Sequence, residues 1–185
     1  MNIPNALTLF RMVLIPVFIA IFYLPQPWAP ALATFIFWLA SISDWFDGYL
    51  ARKLNQQSAL GAFLDPLADK LMVIAALVLI VAKHPDNAWL MGATLIIIAR
   101  ELIVSSLREW MAVQGKADQV AVSFVGKAKT TAQMFAILFL IYAQDLFGLP
   151  TFIFGTGLLV WAALLTLLSM LFYLNQAWAT IRRST

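Results

Sequence analysis

Apolar residues along this chain come in long blocks, and polar residues gather between the blocks instead of alternating with them. Six mostly apolar stretches stand out, at about 6–24, 31–50, 59–82, 88–108, 128–147 and 151–174. Each is close to the roughly 20 residues that an α-helix needs to cross the hydrocarbon core of a bilayer. The separators carry turn chemistry: Pro25, Pro27 and Pro30; Asn55 to Ser58; His84 to Asn87; Gly115 to Asp118; Gly148 and Pro150. The pattern predicts an all-α integral membrane protein of six transmembrane helices, with residues 1–185 forming one transmembrane domain. The run from Met12 to Leu24 has the look of a signal-peptide core, but no small-residue cleavage site follows it.

Composition agrees with the pattern. Of 185 residues 63% are hydrophobic and 11% charged, less than half the charged share of an ordinary soluble domain. So few ionic side chains cannot cover a surface in water, which excludes a water-soluble enzyme, a disordered chain and a conventional nucleic-acid binder. The expected partner is the lipid bilayer, with no nucleic acid. With no cysteine, disulfides and thiolate chemistry are excluded as well. Arg52, Lys53, Arg108, Lys116, Lys127, Lys129, Arg182 and Arg183 flank the even-numbered connections and the C-terminus, against Lys83 alone on the odd-numbered ones. The positive-inside bias therefore predicts that both termini are cytoplasmic. Residues 109–127 form the one sizeable cytoplasmic segment, and Trp110, Val113, Val120, Val122 and Phe124 suggest that part of it rests on the membrane surface.

Placement of the remaining acids is the informative feature. Of nine acidic residues, Asp44, Asp47, Asp65, Asp69, Glu101 and Glu109 fall inside or at the ends of predicted spans. A charged side chain at the bilayer centre costs about 3 kcal/mol on insertion scales, so such residues are functional candidates by default. Asp44 and Asp47 are spaced i, i+3 and Asp65 and Asp69 i, i+4, so each pair shares a helix face. The two spans are joined by a short connection and must run antiparallel, which places Asp47 and Asp65 at similar depths with Asp44 and Asp69 a turn deeper. Four converging carboxylates require cations, and an all-oxygen donor set selects Mg²⁺, Mn²⁺ or Ca²⁺ over zinc or copper. The one histidine, His84, falls on the opposite side of the membrane, so an aspartate must move any proton that moves at this site. Gly48, Ala51, Gly61, Ala62 and Ala68 allow close backbone approach around the cluster. Pro66 removes one helical hydrogen bond and releases the carbonyl of Ala62. A cation or proton pathway would use the same carboxylates, and a structural role in a membrane assembly is the remaining alternative.

The segment Asp44-Trp45-Phe46-Asp47-Gly48-Tyr49-Leu50-Ala51-Arg52, eight further residues, and Gly61-Ala62-Phe63-Leu64-Asp65-Pro66-Leu67-Ala68-Asp69 resembles, without a gap, the D-x-x-D-G-x-x-A-R-(x8)-G-x-x-x-D-x-x-x-D signature of the CDP-alcohol phosphotransferases. Asn5, Thr8 and Arg11 in the first span are similar to a further family element. The resemblance covers the whole chain and implies the six-helix fold of that family and a homodimer. It implies that Asp44, Asp47, Asp65 and Asp69 hold two ions, Mg²⁺ or Mn²⁺, and that Asp69 is the general base. It further implies that Gly48, Ala51, Arg52, Ser58 and Gly61 bind CDP-diacylglycerol, with Asn5, Thr8 and Arg11 approaching the nucleotide or diphosphate. The alternative for Arg11 is snorkelling to the interface.

The signature specifies a donor class and leaves the acceptor open. Arg100, Arg108, Lys127 and Lys129, if they share the cavity, form an anion cradle for a phosphorylated acceptor, as Lys70 would beside them. The alternative pairs them with Glu101 and Glu109 or makes them interfacial anchors. The segments 99–103, 107–111 and 126–134 resemble the bacterial branch of the family whose acceptor is sn-glycerol 3-phosphate, which implies a site at the cytoplasmic face of the bacterial inner membrane. Inositol phosphate and phosphatidylglycerol are the competing acceptors.

Overall fold

The structure, a computed structural model, describes residues 3–54, 59–113 and 124–181. Six α-helices follow one another: α1 (Ile3–Phe22), α2 (Ala29–Leu54), α3 (Ala59–Lys83), α4 (Ala88–Val113), α5 (Phe124–Tyr142) and α6 (Thr151–Ile181). They coincide with the six apolar stretches but outrun several of them. α2 continues to Leu54, α4 to Val113 and α6 to Ile181, while α5 starts at Phe124. Hydropathy marks only the apolar part of a helix, and good helix formers such as Arg52, Lys53, Glu109 and Met111 carry the backbone bonding onward. The expected surface segment 109–127 is therefore helical at both ends, and residues 114–123 lie outside the described ones.

Two helical segments among the described residues, Ala88–Met111 and Thr151–Leu171, are long and apolar enough to cross a bilayer by themselves. Thr8–Phe22, Ala29–Ser43 and Lys129–Tyr142 are shorter apolar runs within longer helices. Large apolar side chains cover the outside, among them Val13, Phe35, Val78, Leu95, Trp161 and Leu168. Such a surface is stable only against lipid, so this is a membrane protein. Hydroxyls within the helices bond back to the preceding turn: Thr34 Oγ1 donates to the Pro30 carbonyl (2.8 Å), Ser43 Oγ to Leu39 (2.8 Å) and Thr166 Oγ1 to Ala162 (2.6 Å). That habit lets a polar side chain sit in an apolar helix without an unmet donor.

The chain divides into two compact units, Met1–His84 with Leu138–Phe152, and Pro85–Ile137 with Ile153–Thr185. In the first, α1 packs against α2 and α3, and α2 against α3. Thr8, Arg11, Leu14 and Phe18 form the buried stripe of α1, and the Phe18 ring lies 6.2 Å from Phe37 of α2. Ala29, Ala33, Phe37, Ala40 and Ser43 form the buried stripe of α2, and Ala68, Met72, Ala76 and Ile80 that of α3. Alanine at successive turns lets the helix backbones approach closely. The link between α5 and α6 closes in a tight turn in which Leu146 and Leu149 exchange backbone bonds of 3.1 and 2.9 Å. Phe147 and Gly148 both have positive φ, 51° and 81°, the signature of a type I′ turn. Glycine meets that demand without cost, whereas Phe147 holds a left-handed backbone that bulky residues rarely adopt.

In the second unit, Leu90, Ala93, Ile97, Arg100, Val104 and Met111 line one face of α4. The Asn87 side chain caps that helix, its Oδ1 accepting from the Leu90 amide at 3.1 Å. Leu159, Ala162, Ala163, Thr166 and Ser169 form the corresponding face of α6.

His84 follows the last residue of α3, about 22 Å along the helix axis from Asp69 at the standard rise. Its ring sits 4.4 Å from that of Phe152. Burial first, and then the neighbouring Lys83 ammonium, hold its pKa below the ordinary histidine value. The fold thus favours the neutral imidazole. Below the ordinary pKa the unfolded chain takes up a proton that the folded one resists, so this contribution to stability is present above about pH 6.5 and is lost as pH falls through the window beneath it. An NMR titration of His84 is expected to give a midpoint below 6.5, moving upward in Lys83→Gln. A midpoint at or above that of free histidine would contradict the assignment.

Candidate active site

Helices α2 and α3 carry the aspartate pairs, and the backbone is helical through all four positions. α3 runs unbroken through Pro66, as the spacing argument requires. The side chains of Asp44, Asp47, Gly48, Ala51, Arg52, Gly61, Asp65 and Asp69 lie outside the described residues, as do Ser58 altogether and the side chains of Asn5, Arg108 and Lys127. Helical register nevertheless places their backbone positions. In α2 the buried stripe ending at Ala40 and Ser43 leads, by steps of three and four, to positions 44 and 47, then 48 and 51. In α3 the stripe of Ala68, Met72 and Ala76 leads back to 69, 65 and 61. Each aspartate pair therefore keeps the i, i+3 or i, i+4 spacing of one helix face in the helical backbone observed.

α1 contributes the third wall. It is joined to α2 by the short 23–28 connection and packs against it, so the two run antiparallel. From the Phe18–Phe37 contact, seven residues back along α1 reach Arg11, and seven forward along α2 reach Asp44. Equal steps of about 10 Å bring the two positions to one level, and three more bring Thr8 to the level of Asp47. Thr8 and Arg11 are 1% and 3% exposed. A snorkelling arginine would keep its head group in solvent, so the buried alternative is the one observed.

The donor set on these registers is oxygen only: four carboxylates, no cysteine in the chain, and its one histidine at the far end of α3. Such a set fits a hard divalent cation such as Mg²⁺ or Mn²⁺ and is a poor match for zinc or copper.

Of the five cations considered for the acceptor, the side chains of Lys70, Arg100 and Lys129 are described, and the structure brings the last two together. Arg100 Nη1 and Lys129 Nζ both donate to Glu101 Oε1, at 3.0 and 3.1 Å. The pairing with Glu101 weighed in the sequence is thus present, and it joins α4 to α5. Lys129 and Arg100 are 1% and 9% exposed, so a compensating carboxylate is what makes their burial tolerable. Lys70 is half-buried in α3. Gln133, one turn beyond Lys129 on α5, is also buried; sequence reasoning passed over it, although its i, i+4 spacing from Lys129 was visible.

The sequence profile of CDP-alcohol phosphatidyltransferases matches residues 1–178. The chain belongs to that family. It is 51% identical over 176 residues to the CDP-diacylglycerol–glycerol-3-phosphate 3-phosphatidyltransferase of Salmonella typhimurium, covering 95% of this chain and 94% of that one. It is 50% identical over 180 residues to the protein of the same name from Escherichia coli K12, covering 97% of each. This membrane protein is accordingly an enzyme of the CDP-alcohol phosphatidyltransferase class, and the transporter and structural alternatives drop out.

Proposed function

We propose that this chain transfers the phosphatidyl group of CDP-diacylglycerol to sn-glycerol 3-phosphate, forming phosphatidylglycerophosphate and releasing CMP. The observation that carries this reading is the ungapped Asp44 to Asp69 signature in a chain half-identical, over nearly its whole length, to enzymes named for that reaction.

The acceptor hydroxyl attacks the lipid-bearing phosphorus, and the anhydride bond to CMP breaks as the new P–O bond forms. Asp69 takes the hydroxyl proton, a task for which a carboxylate is the one available base in a site with no histidine. Asp44, Asp47, Asp65 and Asp69 would hold two ions, Mg²⁺ or Mn²⁺, and such ions when bound offset charge on the reacting pyrophosphate. Gly48, Ala51 and Gly61 let the CDP moiety approach the backbone, Arg52 and Ser58 bind it, and Asn5, Thr8 and Arg11 meet it from α1. Arg100, Arg108, Lys127 and Lys129 receive the acceptor phosphate.

The same reading makes 1–185 one catalytic domain with six membrane spans in the bacterial inner membrane. Both termini and the site lie at its cytoplasmic face, in keeping with the lysine and arginine bias. The enzyme works as a homodimer, an inference that rests on the family resemblance alone. Purified protein given CDP-diacylglycerol and a panel of acceptors is expected to release CMP with glycerol 3-phosphate and to be at least tenfold slower, as an order-of-magnitude estimate, with inositol phosphate or phosphatidylglycerol. Equal release with either of the latter would overturn the acceptor assignment.

A further inference from the structure

A cavity of about 280 Å³ opens in the first unit, at the end away from the aspartate positions. Its walls include Phe22 at the end of α1, Gln26 of the 23–28 connection, Pro30 in the first turn of α2, Lys83 at the end of α3, Ile141 near the end of α5 and Gln144 just beyond it. Along α3, Lys83 stands about 21 Å from Asp69 at the standard rise, so the cavity and the aspartate positions are separate places. Lys83 is the one charged residue among the described residues that line the cavity, and it is the exception to the lysine and arginine bias along the chain. Its Nζ lies 5.3 Å from the centroid of the Phe22 ring, a contact that holds the ammonium at the cavity wall. The backbone around the mouth is fixed. The Ala29 amide donates to the Gln26 carbonyl at 3.0 Å, Thr151 Oγ1 donates to the Gln144 carbonyl at 2.8 Å, and Ala143 ends α5 in left-handed backbone with a φ of 47°. Pro25, Pro27 and Pro30 restrict φ in the wall they share.

We propose that this cavity binds the phosphate-bearing head group of an anionic phospholipid, with Lys83 as its cation and the side-chain amides of Gln26 and Gln144 as further donors. A compact ammonium suits a phosphate as a point charge, and each primary amide offers two N–H groups. The apolar remainder of the wall, Phe22, Ala33 and Ile141, suits the glycerol and the first methylenes that follow such a phosphate. The volume falls just under the roughly 300–1,000 Å³ of typical small-molecule sites, which fits a head group and leaves the acyl chains to the bilayer. Tyr23 and Trp28 of the same connection are exposed. Aromatic side chains with a polar tip mark the level of the lipid head groups, where such an occupant is concentrated, and this favours a lipid over a free phosphate ion. Walls already set by proline and by capped helix ends lose little freedom when the occupant arrives. The site lies apart from the reaction chemistry, so it does not depend on which alcohol is the acceptor.

The test is native mass spectrometry of detergent-purified protein titrated with phosphatidylglycerol or phosphatidylcholine, which counts bound lipids and gives the affinity for each. Wild-type protein is expected to hold one phosphatidylglycerol that Lys83→Gln binds at least fivefold more weakly, on an order-of-magnitude estimate for one lysine facing an anionic lipid. Gln144→Ala should weaken the same lipid by about threefold, and Lys83→Arg, which keeps the charge, should retain it. Both positions are exposed, so the variants should unfold at the wild-type temperature. Undiminished phosphatidylglycerol binding by both Lys83→Gln and Gln144→Ala, or equal wild-type affinity for phosphatidylcholine, overturns the site. Inorganic phosphate, titrated calorimetrically, should show no binding that Lys83→Gln removes; if it does, the occupant is the free ion and the lipid assignment fails. CMP release by Lys83→Gln is expected at the wild-type rate, and a fall in turnover that parallels the loss of lipid would place that lipid at the reaction site and overturn the proposal.

Discussion

Asp69→Asn is expected to lower kcat for CMP release by a factor on the order of 10²–10⁴, the range lost when a positioned general base is removed. The substitution preserves size and helical backbone, so α3 should form as before, and the loss should appear in purified, folded protein. Asn cannot take the acceptor proton, and its amide is a weaker ligand for a hard cation, so both proposed duties fail together. Asp65→Asn removes only a ligand and should be partly recovered by raising divalent metal, whereas Asp69→Asn should not be. Normal turnover by Asp69→Asn would dispose of the base assignment.

Removal of divalent cations is expected to have an effect of similar size. Protein stripped with a chelator should lose activity by roughly a thousandfold, corresponding to about 4 kcal/mol of charge stabilisation. Mg²⁺ or Mn²⁺ should restore it and Zn²⁺ should not, since the four aspartates offer hard oxygen and the chain has no cysteine to attract a softer ion. Full activity in protein whose measured metal content is well below one ion per chain would sink this reading. Direct calorimetric titration of Mg²⁺ into Asp44→Asn and wild-type protein gives a second readout independent of turnover, with weaker binding expected in the variant.

Much of this molecule was legible in the sequence because its two strongest signals are local. A helix in lipid must satisfy its own backbone, so each apolar block of about 20 residues announces itself without reference to the others. Spacings of three and four within Asp44–Asp47 and Asp65–Asp69 report a shared helix face for the same reason. The helix ends were less legible, since Arg52, Lys53 and Glu109 read as loop by hydropathy and yet continue α2 and α4. The left-handed backbone of Phe147 was also unreadable: Gly148 announces a turn, but nothing in a phenylalanine side chain says that the preceding residue shares its hand.

Long-range pairing was harder still. The cations Arg100 and Lys129 could be read as a phosphate cradle or as partners of Glu101, and spacing along the chain did not decide between them. The structure puts both on one oxygen of Glu101, so the pairing with that carboxylate is the one present. Arg11 is a similar case, since residue type and spacing do not tell an arginine that snorkels from one that is buried. Its 3% exposure is a property of the packing of α1 on α2 and α3.

By itself, then, the sequence determined the solvent, the helical class and the family and singled out the candidate carboxylates, because each follows from residue type at short separation. Tertiary structure decided which faces are turned inward. It put Arg11 on the buried stripe of α1 and joined Arg100 to Lys129 through Glu101 across 28 residues of chain. The physical reason is that helical periodicity fixes what lies on one face of one helix, while the meeting of two faces depends on packing and charge compensation between segments whose separation along the chain carries no trace of it.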